Sequence, residues 1–86
     1  MPTISRFFGV TIRMYYDDHA PPHFHAYYGE EGAKVDIETL DILAGSLPRR
    51  ARALVLEWAA EHREQLRENW LLSENHQPLN PIDPLE

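Results

Sequence analysis

Apolar and polar residues alternate with period two along the first third of the chain. From Arg6 to Tyr16 the even positions Phe8, Val10, Ile12, Met14 and Tyr16 are apolar, with Gly9, Thr11, Arg13 and Tyr15 between them. This pattern predicts one half-buried strand with its even face inward. Asp17 to Pro22 breaks the alternation, because Asp-Asp opens a turn and each proline removes a backbone donor. A second strand is predicted over His23 to Tyr28, with Phe24, Ala26 and Tyr28 inward and His23, His25 and Tyr27 outward. Gly29-Glu30-Glu31-Gly32 reads as a four-residue hairpin loop. The third strand, Ala33 to Glu38, then points Ala33, Val35 and Ile37 inward, and a tight turn at Thr39 to Asp41 leads to a short fourth strand at Ile42 to Ala44.

The four-residue loop implies a register in which Tyr28 opposes Ala33, Ala26 opposes Val35 and Phe24 opposes Ile37. A slip by one residue would set apolar against polar along the whole ladder. On the outer face the same register sets Tyr27 against Lys34, His25 against Asp36 and His23 against Glu38. Matching apolar faces in the first hairpin pairs Tyr16 with Phe24 and Met14 with Ala26, which places Tyr15 beside His25 and Arg13 beside Tyr27.

Beyond Gly45 the period changes. Ala51, Leu54, Val55, Trp58, Ala59, His62, Leu66 and Trp70 recur at steps of three and four, an amphipathic helix. Ser46 suits its N-cap and Pro48 its first turn. No Gly or Pro interrupts Arg49 to Gln77. A helix of about 25 residues would be about 37 Å long, so its end should project beyond the sheet or bend, and residues after Arg67 should make few contacts within the chain. Residues 78–86 carry a proline at every third position and cannot be helical. Leu79, Ile82 and Leu85 of this tail would suit a groove on this or another molecule. The fold expected is α+β: an antiparallel three- to four-stranded sheet with one long C-terminal helix packed on one face. It forms a single domain over residues 1–86, with 78–86 a Pro-rich tail. Phe8, Val10, Ile12, Phe24, Ala26, Val35, Ile37, Leu54, Val55 and Trp58 should share its core.

Composition narrows the function. The chain has no cysteine, which excludes thiolate metal sites and disulfides and fits a reducing compartment. With no apolar run long enough for a membrane span and no secretory leader pattern, a cytoplasmic location is expected. A net charge of −6 argues against broad binding to nucleic-acid backbones.

The outer face carries the candidate chemistry. His23 and His25, two apart on one strand, project to one side, and with His19 and a carboxylate from Asp36 or Glu38 they make a plausible set of ligands for a divalent ion such as zinc or manganese. The same residues permit acid–base chemistry, with His25 or His23 as base and Tyr15 or Arg13 assisting. The plain alternative is a set of ordinary cross-strand neighbours, worth about 0.2–1 kcal/mol each. Arg49, Arg50 and Arg52 in the first helical turn oppose the helix dipole and suit an anion or an acidic partner. Acidic neighbours such as Asp41 would neutralise them equally well. Trp58 and His62 fall on the apolar stripe and read as core, while Trp70, beyond the expected sheet, reads as an interface residue.

Three blocks taken together resemble a family of small bacterial proteins. They are the opening Met-Pro-Thr-Ile-Ser-Arg-Phe-Phe-Gly, the Pro-Pro-His-Phe-His-Ala-Tyr-Tyr-Gly block from Pro21 to Gly29, and the Leu-Pro-Arg-Arg helix with its Leu-Val-Leu-Glu-Trp-Ala and Asn-Trp segments. The family is domain of unknown function family 4160. The resemblance implies no activity. It implies a neighbour-encoded small protein as partner, in a toxin–antitoxin-like pair, and it makes Pro21 to His25 the hallmark of the chain. Two readings follow. One is a non-enzymatic, partner-binding component of a two-protein module, able to self-associate and carrying a histidine site for a divalent metal. The other is a toxin-like ribonuclease with a histidine base and an arginine phosphate site. Enzymatic activity is left open between them.

Overall fold

The computed structural model describes residues 2–86, which form five strands and two helices. These are β1 (Thr3–Phe7), β2 (Val10–Arg13), β3 (His23–Tyr28), β4 (Glu31–Asp36), β5 (Ile42–Gly45), α1 (Arg49–Glu61) and α2 (Arg63–Glu74). The strands make one antiparallel sheet in the order β1-β2-β3-β4-β5. The architecture is therefore α+β as expected, with one strand more than the alternation predicts and a second helix.

The extra strand arises at Phe8-Gly9. Both residues take positive φ, 46° and 83°, so the chain reverses in a two-residue turn and pairs Phe7 with Val10. Positive φ at both central positions is the turn geometry that matches strand twist, with glycine second. The single strand expected from Arg6 to Tyr16 is thus a hairpin followed by a loop. Phe8, expected in the core, sits at the turn and is 62% exposed. Tyr16, past the end of β2, is also exposed.

The hairpin between β3 and β4 is tighter than the four-residue loop predicted. Gly29 and Glu30 form a two-residue turn with positive φ at Gly29, and Tyr28 pairs with Glu31. Ala26 then opposes Ala33, Phe24 opposes Val35, His25 opposes Lys34 and His23 opposes Asp36. The β2–β3 register differs in the same way, with Ile12 opposite Ala26 and Arg13 opposite His25. Both ladders are displaced by two residues from the predicted pairing. A two-residue displacement leaves each side chain on its face, so Val10, Ile12, Met14, Phe24, Ala26, Val35 and Ile37 are buried as expected.

The long helix is broken at His62, whose φ of −120° and ψ of 23° lie outside the helical range. Neither glycine nor proline causes the break. The Trp58 carbonyl accepts both the His62 backbone N–H at 3.1 Å and the His62 ring Nδ1–H at 2.9 Å. Beyond it, Arg63 Nε donates to the Ile37 carbonyl at 3.1 Å, and Arg67 makes a two-pronged pair with Glu38 at 2.6 and 2.7 Å. These contacts tie α2 to the end of β4. Pro48, expected inside the first turn, is the N-cap of α1, and no side chain caps it, Ser46 included.

Residues after Arg67 are not peripheral. Asn69, Trp70 and Ser73 of α2 are buried. The chain turns back after α2 through His76, at φ 55°, where Gln77 N–H reaches the Leu72 carbonyl at 2.9 Å, the six-to-one bond of a helix-ending turn. The tail then runs back across the core. Asn69 and Asn80 exchange two 2.9 Å hydrogen bonds, Ile82 N–H donates to Ile4 on β1 at 2.8 Å, and the Trp58 indole N–H donates to the Asp83 carbonyl at 2.8 Å. Ile82 and Leu85 are buried in the core cluster. The tail, expected to suit a groove on this or another molecule, fills one on its own chain.

Ile82→Ala removes a fully packed side chain that also closes the edge of the sheet, so it should destabilise the protein by about 2–5 kcal/mol. Urea denaturation should show a lower midpoint at unchanged slope. A midpoint within error of wild type would mean that the tail only rests on the surface.

Candidate functional site

The loop between β2 and β3 bends Asp18 back over the start of β3. There one carboxylate oxygen, Asp18 Oδ2, meets two imidazoles: His23 Nε2 at 2.9 Å and His25 Nε2 at 3.1 Å. The donor atoms of all three residues lie within 4.8 Å of one another. Alternation along β3 gives the two histidines their common side. Trp70 on α2 then covers His23, with ring centroids 5.3 Å apart, leaving its side chain 2% exposed against 15% for His25.

The ring of His23 is fixed from its other side. Nδ1 lies 2.8 Å from the Pro21 carbonyl oxygen, which can only accept, so Nδ1 carries a proton. Nε2 then has two options. It carries a second proton and donates to Asp18, or it presents its lone pair toward the carboxylate and a cation belongs between them. Histidine ligands in metal sites commonly donate their second ring nitrogen to a backbone carbonyl in this way. In a tetrahedral zinc site with bonds of 2.0–2.2 Å, neighbouring donors stand about 3.3 Å apart. The two Asp18–His separations need only a few tenths of an ångström of opening to reach that spacing.

Burial is the largest influence on His25 and holds its imidazole below the ordinary 6.5; the hydrogen bond it donates to Asp18 opposes this, and the charges of His23 and Lys34 add to it. For Asp18 burial alone would raise the carboxyl, but hydrogen bonds from His25 and from the His19 backbone, with the charge of His23, outweigh it and set the group below 3.8. Tyr15 and Tyr27 share a 2.7 Å hydroxyl–hydroxyl bond beside the histidines. Burial, then that bond, pushes Tyr27 up to about 12, so it stays protonated and serves no base role at neutral pH.

The structure gathers part of the predicted constellation. His23 and His25 adjoin one another with ring centroids 5.1 Å apart, Tyr15 meets the edge of His25 at 4.5 Å, and the Arg13 guanidinium lies 5.6 Å from the centre of the Tyr27 ring. Asp36 and Glu38 go elsewhere. Asp36 Oδ1 accepts the backbone N–H groups of Glu38 and Thr39 at 2.7 and 2.9 Å, closing the turn into β5. Glu38 is taken by Arg67, whose hydrogen bond lowers its carboxyl pKa. His19 is exposed, and its backbone rather than its ring contacts Asp18. Trp70, expected at an interface, is 5% exposed and packs on His23. Arg49, Arg50 and Arg52 are exposed on the first turn of α1, whereas His23 meets the helical run in α2. The larger concavity, about 460 Å³ along the bend between Ala60 and Arg67, shares no residue with the histidine cluster.

Asp18 is the participant that sequence reasoning missed. Its side chain follows no strand or helix period, and the available signal was the Asp-x4-His-x-His spacing from Asp18 to His25.

Fold and site together define a small α+β protein with a two-histidine, one-carboxylate cluster at the edge of its helical layer. The family model described as Domain of unknown function (DUF4160) matches residues 9–71, well over half of the chain, and the chain belongs to that family. The matched span holds Asp18, His23 and His25 and stops before the tail. No curated protein and no solved structure matches.

Because folding lowers the His25 pKa, the unfolded chain takes up that proton first as the pH falls through 6.5. The metal-free protein should therefore lose stability below pH 6.5 until folded His25 titrates. The contribution of Asp18 is present above pH 3.8 and disappears as the pH falls through its lower folded value. Denaturation of His25→Gln between pH 5 and 7.5 should show a flatter profile than wild type. An identical profile would mean that other groups carry the dependence.

Proposed function

We propose that Asp18, His23 and His25 bind one divalent metal ion, zinc or manganese, and that the ion fastens the loop after β2 to the sheet. The observation that carries this reading is the bond from His23 Nδ1 to the Pro21 carbonyl, which aims Nε2 at Asp18. His25 and one carboxylate complete three ligands, which leaves further coordination positions for water or for a donor from another molecule. Binding of such an ion fixes both imidazoles neutral and relieves the sharing of one oxygen by two rings.

The wider role is that of a non-enzymatic, partner-binding component of a two-protein module in the cytoplasm, in keeping with the family resemblance. Phe8, Leu43 and Leu71 are large apolar side chains exposed on this chain and available to a partner. The ribonuclease reading has less support. It needs the phosphate-holding Arg49, Arg50 and Arg52 beside the histidine base, and these begin α1 while His23 packs on α2.

Zinc or manganese titration at pH 7.5, followed by thermal melting, tests the metal reading. At a hundredfold excess over the dissociation constant the ion should add about 2.7 kcal/mol to stability. His23→Ala, His25→Ala and Asp18→Asn should each abolish the gain. Asp36→Asn, Glu38→Gln and His19→Ala should retain it. A gain that survives Asp18→Asn but vanishes with Asp36→Asn would reverse the ligand assignment.

A further inference from the structure

The outer face of the sheet holds a feature that a metal ion at Asp18 leaves unused. The observed register sets Arg13, His25 and Lys34 side by side across β2, β3 and β4. All three are half-buried. The ion pairs among the described residues join Asp18 to His23 and His25, Glu38 to Arg67 and Asp17 to His76. Neither Arg13 nor Lys34 takes part in any of them. In a chain of 14 acidic residues and net charge −6, carboxylates are plentiful, yet among the described residues neither cation beside His25 has an ion-pair partner, and the one carboxylate at His25, Asp18, is bonded to the two imidazoles. Arg13 donates from Nε to Thr3 Oγ1 at 3.3 Å, and its guanidinium lies 5.6 Å from the centre of the Tyr27 ring.

Beside this row lies a groove of about 280 Å³ lined by His25, Tyr27, Gly32, Lys34, Ala44 and Gly45, with Ala33 beneath. Its wall is aromatic: the rings of His25 and Tyr27 run parallel within 9°, their centroids 6.3 Å apart. Gly32 makes the floor. A Cβ there would come within 2.8 Å of one edge of the Tyr27 ring, so only bare backbone lets that ring lie so close. Ala44 and Gly45 keep the far side low. The volume lies just below the range of ligand sites, about 300 to 1,000 Å³, and so fits a single ring or short chain rather than a polymer.

We propose that this groove binds a small organic anion, a carboxylate or phosphate monoester with a compact apolar body. The charged head lies over His25 between Lys34 in the groove and Arg13 beside it, and the body lies on Ala44 and Gly45 against Tyr27. Charge-assisted hydrogen bonds to the two cations hold the head, and the flat aromatic wall favours a planar body. The inference goes beyond the metal reading and does not require the ion.

Metal-free protein, titrated with phenyl phosphate, benzoate and inorganic phosphate and followed by backbone amide NMR shifts, provides the test. Phenyl phosphate or benzoate should shift the Gly32, Ala44 and Gly45 amides and bind about tenfold more tightly than inorganic phosphate. The tighter of the two aryl anions identifies the head group. Lys34→Gln and Arg13→Gln should each weaken that ligand about tenfold. Ala44→Leu, which fills the groove from an exposed position, should weaken it at least as much while leaving inorganic phosphate unchanged. No shift at those amides with either aryl anion up to about 10 mM overturns the proposal. So does an affinity that Lys34→Gln or Arg13→Gln leaves intact, or one that Ala44→Leu leaves intact. Metal titration results bear on none of these outcomes, so the two readings fail separately.

Discussion

Trp58 is the side chain on which the rest of the structure depends. Fully buried, it packs against Phe7 of β1 at 5.4 Å, Phe24 of β3 at 5.8 Å and His62 at 5.5 Å. Its indole N–H holds the tail through Asp83, and its carbonyl takes both donors of His62 where the helix breaks. One residue thus joins the sheet, the bend and the returning C-terminal segment. A chain of 86 residues has few such anchors, because one this short buries a limited share of its surface. Loss of the indole would leave a large cavity and an unpartnered Asp83 carbonyl.

The consequences reach the histidines. Because the helical run bends at His62 and is pinned by Arg63 and Arg67 to the end of β4, α2 carries Trp70 onto His23 rather than into solvent. That cover removes water from one side of the cluster. Low polarity strengthens the electrostatic interaction between Asp18 and the rings, and it raises the cost of leaving any of their polar atoms unsatisfied. The Pro21 carbonyl, supplied by the loop, then decides which nitrogen of His23 faces the carboxylate. The groove bordered by Ala44 and Gly45 is also lined by His25, so the two proposed sites share that residue.

Much of the core was legible in the sequence, and the reason is instructive. The expected pairing was wrong by two residues in both ladders, yet Phe24, Ala26, Val35 and Ile37 are inside because a shift of two preserves every face. Phe8 failed because alternation cannot distinguish a strand from a two-residue turn that keeps the same count, and Gly9 was the signal passed over. The bend at His62 carries no Gly or Pro to announce it; it depends on a ring bonding its own preceding turn and on tertiary contacts to Ile37 and Glu38. The histidine pair was visible as His-x-His on one strand. Its carboxylate was not, since Asp18 arrives through an irregular loop whose path no periodicity describes. Asp36 looked better placed, but a carboxylate three residues before a turn is readily captured by the turn's own backbone N–H groups.

The account rests most heavily on the identity of the three ligand atoms. Anomalous diffraction at the zinc edge from crystals grown with zinc measures them directly. The account predicts a peak with His23 Nε2, His25 Nε2 and an Asp18 oxygen each about 2.0–2.2 Å away, and His23 Nδ1 still on the Pro21 carbonyl. A peak coordinated through His23 Nδ1, or one built on Asp36 or Glu38, would contradict it.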